Sequence, residues 1–191
     1  MVDIQLTGHG VEQFSTLRLI GRRLLPADTD FLAELHSSDE VMELHGGQRS
    51  RATTEPFVQS NVAHWRQYQF GLYVISMAST PDDPIGRAGL RWDRTIDGGP
   101  AVDVSVLLAQ SFWGQGIATE ITRAIVSIGL DLELPLIAGA EAGHAAARRV
   151  LEKVGFVYDS PFERHEQGWV RYRWPSGNIP PGLVSNRPAG R

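Results

Sequence analysis

Residues Ser111 to Glu120 read SFWGQGIATE, and their spacing suits the binding of an anion. Gly114 and Gly116 stand two apart with the small Ala118 behind them, so the backbone amides there are not shielded by side chains. Beyond the glycines, Ile117, Ile121, Ala124, Ile125, Ile128 and Leu132 recur at three- and four-residue steps, which predicts a helix opening directly from the loop. The unpaired N–H groups of such a helix start, with the positive end of its dipole, form a site for phosphate or pyrophosphate. The loop has no Gly-Lys-Ser/Thr ending and lacks the glycine spacing of a dinucleotide fingerprint. A strand-to-helix turn that needs glycine for packing alone is the competing reading.

The run before the loop, VDVSVLL, alternates with the period of a strand. Val102, Val104, Val106 and Leu108 point one way and Asp103 and Ser105 the other. A carboxylate on such a strand either takes a proton as a general base or rests in solvent or an ion pair. His9, His36, His45, His64 and His165 show no metal-ligand spacing, and Ser111 is not in a Gly-x-Ser-x-Gly elbow, so neither a metal site nor a hydrolase is expected.

These residues must be positioned by one domain. A chain of 191 residues, 42% of them hydrophobic, supports one sizeable core, here placed over residues 14–174 between a polar lead-in (1–13) and a Pro- and Gly-rich tail (175–191). The absence of cysteine excludes a disulfide framework and a thiol nucleophile, and fits a reducing cytoplasm. No leader or membrane span is apparent, so a soluble cytoplasmic protein is expected. The net charge of −4 argues against nucleic acid as a partner. Arginine carries nearly all the positive charge, Lys153 being the one lysine, and its scatter from Arg18 to Arg191 reads as composition rather than as an anion-binding patch.

In order, the chain predicts a strand within Phe14–Leu25 and a helix from Asp28 burying Phe31, Leu32 and Leu35. A loop over Gln48–Pro56 precedes a helix from Glu55 to about Tyr68. Strands follow at Gly71–Met77, Ile85–Trp92 and Ala101–Leu108, the last two joined by an Asp97-Gly98-Gly99 hairpin. After the glycine-loop helix come a short strand at Leu134–Ala138, a helix over His144–Val154 stopped by Gly155, and strands at Phe156–Tyr158 and Trp169–Trp174.

WGQGIA resembles the pyrophosphate loop of the GNAT N-acetyltransferases, Gln/Arg-x-x-Gly-x-Gly/Ala, with Gly116 and Ala118 at the last two defined positions. Trp113 in place of Gln or Arg is similar to the ribosomal-protein alanine acetyltransferase subgroup, as is the opening TLRLIGRRLLPADTDFLAELHSSDEVMELHGG. AEAGHAAARRVLEKVGF resembles the second CoA-contacting segment, with His144 for the usual Asn, Ala147 for the usual Ser, and a matching LEKVGF end.

The resemblance implies a mixed α/β fold: a mostly antiparallel twisted sheet flanked by helices, its central strands splayed to hold acetyl-CoA. It implies pyrophosphate on the backbone of Trp113, Gly114, Gln115, Gly116, Ile117, Ala118 and Thr119, and pantetheine along Val106 and Leu108. Further implied are a backbone N–H near Leu107 as oxyanion donor, Asp103 as base, Ser105 near the thioester, and no metal. His144 is either a cofactor contact or an ordinary helix-start residue. The family's tyrosine general acid has no match at Leu151, leaving water or a residue such as Tyr158. The acceptor implied is a primary amine: a protein N-terminus, an amino acid, a polyamine or an aminoglycoside-like drug. Dimers are frequent in the family, which leaves room for a homodimer. An acyl-CoA-binding regulatory protein on the same fold is the alternative.

Overall fold

The computed structural model describes residues 3–6, 11–96, 99–164 and 167–175. Its strands are β1 (Asp3–Leu6), β2 (Val11–Ser15), β3 (Leu19–Arg23), β4 (Leu72–Met77), β5 (Thr80–Ile96), β6 (Gly99–Leu108), β7 (Leu136–Glu141), β8 (Val157–Arg164) and β9 (Gln167–Arg173). The helices are α1 (Thr29–Ser37), α2 (Asp39–Met42), α3 (Arg51–Tyr68), α4 (Ile117–Leu130) and α5 (Ala145–Val154). The nine strands form one sheet in the order β1-β2-β3-β4-β5-β6-β7-β9-β8, antiparallel throughout except between β6 and β7. This is the expected mixed α/β architecture.

Alternation along the central strands gives the sheet two apolar faces. On one, Ile117, Ile121, Ile125 and Ile128 of α4 and Leu151 and Val154 of α5 join Leu90, Val102, Val104 and Leu108 in a single core. On the other, Leu32, Leu35, Met42, Val58 and Val62 from α1, α2 and α3 pack with Leu72, Val74 and Leu107. β6 therefore sends Val102, Val104 and Leu108 into the first core and Leu107 into the second, and Asp103 and Ser105 share the face of Leu107.

Local chemistry sets the element ends. Ser38 and Ser50 cap α2 and α3, their hydroxyls accepting from the amides of Val41 and Thr53. Gly155, at φ +121°, ends α5, and the Phe156 amide returns to the Leu151 carbonyl. A Cβ there would meet the Trp174 ring at 3.3 Å.

Several expectations are corrected. Within the polar lead-in, Asp3–Leu6 and Val11–Ser15 are strands that pair antiparallel at the sheet edge, so the domain begins before the expected residue 14. Phe14–Leu25 is a hairpin rather than one strand, because Thr16 accepts from the Leu19 amide through its hydroxyl and donates to the Leu19 carbonyl through its own N–H, leaving Leu17 exposed. α3 starts at Arg51, four residues before the expected Glu55, since the Ser50 cap outweighs Pro56, which is carried inside the helix. β5 begins at Thr80 rather than at the expected Ile85, running through the breaker-rich residues 81–84 with bulges in its pairing to β4. β7 extends to Glu141, past the expected Ala138, and Val157–Arg164 pairs with Gln167–Arg173, so β8 runs beyond the expected Tyr158 and β9 starts before the expected Trp169. His9, Asp97, Gly98, His165 and the tail from residue 176 lie outside the described residues, although Ile96 pairs with Gly99.

No helix among the described residues is long and apolar enough to cross a membrane.

Candidate active site

The parallel pairing of β6 with β7 covers only Val102↔Leu136 and Asp103↔Ile137, yet β6 continues to Leu108 and β7 to Glu141. The strands diverge beyond Asp103, and the backbone direction on each side of the gap follows from alternation. The Val102 amide donates to the Pro135 carbonyl on the β7 side, and the Ala109 amide to the Ile85 carbonyl on the β5 side. Even-numbered residues of β6 thus turn their backbone groups toward β7, so Val106 and Leu108 present theirs to the gap. Leu107 is paired to Arg87 and by the same alternation has its own amide on the β5 side, so the gap-facing N–H groups nearest to it are those of Val106 and Leu108. Across the gap the Trp174 amide donates to the Leu136 carbonyl and the Ala142 amide to the Gly168 carbonyl, which leaves Gly139 and Glu141 facing β6.

At the end of β6 the chain turns through Gln110–Phe112 into the glycine loop. Three carbonyls in and beside it have partners: the Trp113 indole donates to the Leu108 carbonyl (2.9 Å), the Gln115 side chain to the Ser111 carbonyl (2.8 Å), and Arg18, from the β2–β3 turn, to the Gln115 carbonyl (3.1 Å). No amide from Gly114 to Gly116 donates to another group among the described residues. Gly114 and Gly116 have φ of +73° and +74°, a region that strains any residue with a Cβ. A Cβ at Gly114 would meet nothing within 4 Å. Gly116 caps α4 without a side-chain cap, so the first-turn amides of Ile117, Ala118 and Thr119 are unpaired as well. The run of open amides fits a pyrophosphate. Trp113 is half-exposed beside it, whereas Ile117 and Thr119 are buried and contribute backbone only.

Arg18 and Glu120 were missed by sequence reasoning, and they fasten this loop to the β2–β3 hairpin. Glu120 accepts from the Thr16 hydroxyl (2.5 Å), the Arg18 amide (3.0 Å) and Arg18 Nε (2.7 Å). Burial pushes the Glu120 carboxyl up, but these hydrogen bonds outweigh it and hold the group below its ordinary range. Glu120→Gln is expected to loosen CoA about fivefold without unfolding the protein, on the order of 1 kcal/mol given the partial exposure of Arg18, and calorimetry with CoA checks it.

On the segment that resembles the second CoA contact, His144 is the N-cap of α5 and makes no side-chain cap. Its ring instead meets the His45 ring edge-on at 5.7 Å. Ala147 is partly buried against the core. Tyr158 does not reach the gap: it lies on edge strand β8, behind β9 and β7, against Tyr172.

Asp103 and Ser105 lie on the face of β6 that packs under α1 and α3, beside a polar cluster whose members sequence reasoning did not bring together. Arg87, buried on β5, donates to Ser105 Oγ (3.0 Å) and makes a long 3.5 Å contact to His36 Nε2, whose Nδ1 bonds Thr54 Oγ1 at 3.1 Å. Since arginine only donates, His36 carries its proton on Nδ1. The guanidiniums of Arg49, Arg87 and Arg91 lie 5.5, 5.4 and 5.9 Å from the centroid of the Phe57 ring, with His36 edge-on to it. The arginines do form a cluster, contrary to their scattered appearance in the sequence.

Burial pushes the Asp103 carboxyl up to about 7; Arg164 opposes it, Asp93 adds to it, and Arg91 and Arg87 oppose it further. Burial lowers Arg87 to about 9, reinforced by Arg49 and Arg91. His36 and His45 are each lowered to about 3, first by burial and then by neighbouring arginines. His64 plays a structural part: its ring takes the Trp92 amide at 3.0 Å and bonds the Phe70 carbonyl at 2.9 Å.

These groups make stability pH-dependent. Between about pH 6.5 and 3 the unfolded chain protonates His36 and His45 while the folded protein does not, so falling pH destabilises the fold. Asp103 acts oppositely, keeping its proton in the folded state from about pH 4 to 7. His64 and His144 are lowered by burial too and act in the same direction as His36 and His45, so the histidines outweigh Asp103 and stability falls as pH drops from about 6 to 4. Urea melts over this range should show that loss, and His36→Gln should make it shallower.

Among the described residues no group of three or more His, Cys, Asp or Glu could hold a metal ion.

Comparison with known proteins agrees with this geometry. The family model of the acetyltransferase (GNAT) domain matches residues 18–157. The Bacillus subtilis protein YkkB is 23% identical over 146 residues, covering 75% of this chain and 84% of its own. The ribosomal L7/L12 α-N-protein acetyltransferase RimL superimposes with a TM-score of 0.69 at 15% identity, over 89% of this chain and 98% of that one. The aminoglycoside acetyltransferase AAC(6')-Ib, solved with coenzyme A, gives 0.68 at 20% identity, over 83% and 95%. At such identities the two structures speak for the fold, and the family model spans most of the chain. This protein belongs to the GNAT acetyltransferase family.

Proposed function

We propose that the protein transfers an acetyl group from acetyl-CoA to a primary amine, either a protein N-terminus or a small molecule, by direct attack of the amine on the thioester. The observation that carries this reading is the divergence of β6 from β7 after Asp103, which leaves unpaired backbone leading straight to the open amides of the glycine loop. RimL, named for a protein N-terminus, and AAC(6')-Ib, named for a drug, bracket the acceptor classes.

When bound, acetyl-CoA supplies an activated acyl group on a good leaving group. Gly114 to Thr119 hold the pyrophosphate through backbone N–H groups. Val106 and Leu108 offer N–H groups to the gap, and one of them, rather than Leu107, meets the charge that develops on the acyl oxygen. Asp103 takes the proton that the amine gives up as its nitrogen bonds the acyl carbon, directly or through one water, and water protonates the departing sulfur. A carboxyl near 7 is matched to that task at neutral pH. Ser105, bonded to Arg87, orients that guanidinium rather than the thioester.

The test is an amine panel assayed with acetyl-CoA for CoA release and for a 42 Da mass gain on the acceptor, roughly the mass of an added acetyl group. Release matched by mass gain on at least one amine supports the proposal. Tight CoA binding with no release across neutral to alkaline pH would favour the regulatory alternative.

A further inference from the structure

Three guanidiniums gather around the Phe57 ring on the Asp103 side of the sheet, an unusual setting for a site that has to receive an amine. Arg49 comes from the loop before α3, and Arg87 and Arg91 from β5. Arg164 of β8 is near enough to act electrostatically on both Arg49 and Asp103. Among the described residues none of Arg49, Arg87 and Arg91 is in an ion pair. Arg87 is 7% exposed, and only two of its five N–H groups are engaged, by uncharged partners. The carboxylates of Asp39, Glu40 and Glu43 line a separate depression with Gly47 and Gln48 that includes none of these arginines.

Clustered like charges repel, and a buried guanidinium without an anion is costly, so the arrangement is best explained by an anion delivered from outside. Asp103 does not supply that charge fully, since its carboxyl is part-protonated at neutral pH. A positive field also disfavours an ammonium ion, which has two consequences. It rejects polycations, and it lowers the pKa of any amine held within it, raising the fraction that is nucleophilic. An amine needs an anchor to enter such a field.

We propose that the acceptor carries a carboxylate or phosphate group a few bonds from its amine, and that Arg49 and Arg91, with Arg87 behind them, bind this anion beside Asp103. The inference rests on the transferase reading for the identity of the bound molecule as an acceptor.

The experiment is calorimetry on the CoA-saturated protein with N-acetylated products in matched sets: N-acetylalanine, its phosphonate analogue and its carboxamide, and N-acetyl-Ala-Asp against N-acetyl-Ala-Asn. The anionic members should bind about tenfold or more tighter than their neutral counterparts, as charge-assisted hydrogen bonds require. The carboxylate and phosphonate arms tell which anion is preferred. Arg49→Gln and Arg91→Gln should each reduce the ratio toward one, with the fold intact by circular dichroism. Equal binding of anionic and neutral members, or an unchanged ratio in both variants, would overturn the proposal. Anion preference in a protein that releases no CoA with any amine would uphold the arginine site while removing the transferase reading, so the two failures are distinct.

Discussion

Asp103→Asn is expected to lower kcat/KM for amine acetylation by roughly 10²–10⁴-fold while leaving CoA affinity unchanged. The carboxyl lies on the last residue of β6 that pairs with β7, on the face opposite α4, and burial raises it to about 7. An amine attacking a thioester must shed a proton, and no other carboxylate is placed on this stretch of β6. The wild-type rate should fall as pH drops through about 7, because the base is then protonated, and the Asn variant should lack that limb. Stability separates this role from a structural one. A carboxyl whose folded value lies above its unfolded value of about 4 loses the fold stability as pH rises from 4 to 7, so removing it should not destabilise the protein at pH 8. An Asn variant that melts earlier at pH 8 but keeps its turnover per folded molecule would assign Asp103 to the scaffold.

Gly116→Glu should weaken CoA binding by two orders of magnitude or more, roughly 3 kcal/mol. Two effects add. The residue sits at φ +74°, where a Cβ costs about 1–2 kcal/mol, and a carboxylate would stand among the open amides that attract phosphate. The nearest atom to that Cβ is Arg18 Nη2 at 3.8 Å, so there is room for the side chain and the loss is not one of gross packing. Gly116→Ala isolates the backbone contribution, and the difference between the two variants, measured by calorimetry, is the electrostatic part. Equal affinities for Ala and Glu would mean that no phosphate lies against this helix start.

What the sequence determined by itself was set by short-range physics. Two glycines ahead of a three-and-four apolar repeat require a loop with left-handed residues opening a helix, and Gly114, Gly116 and α4 satisfy both requirements. The alternation in VDVSVLL sorts Asp103 and Ser105 from Val102, Val104 and Leu108 whatever the strand pairs with, because side-chain direction in a strand is fixed by its period of two. Leu151 to Phe156 likewise encode a buried helix face and its glycine stop.

Tertiary structure decided the rest. Which β6 amides face the gap depends on register with β5, and the Arg87↔Leu107 pair turned the Leu107 amide away from the gap. The length of the gap depends on where the β6–β7 pairing stops, which no local pattern encodes. The hairpin at Thr16 and the early start of α3 came from hydroxyl caps that compete with hydrophobic spacing and proline signals. Arg49, Arg87, Arg91 and Arg164 belong to distant parts of the chain and look unrelated in it. Only the stacking of β5 beneath α3, with Phe57 at the contact, gathers three of them around one ring and makes their charges a property of the site.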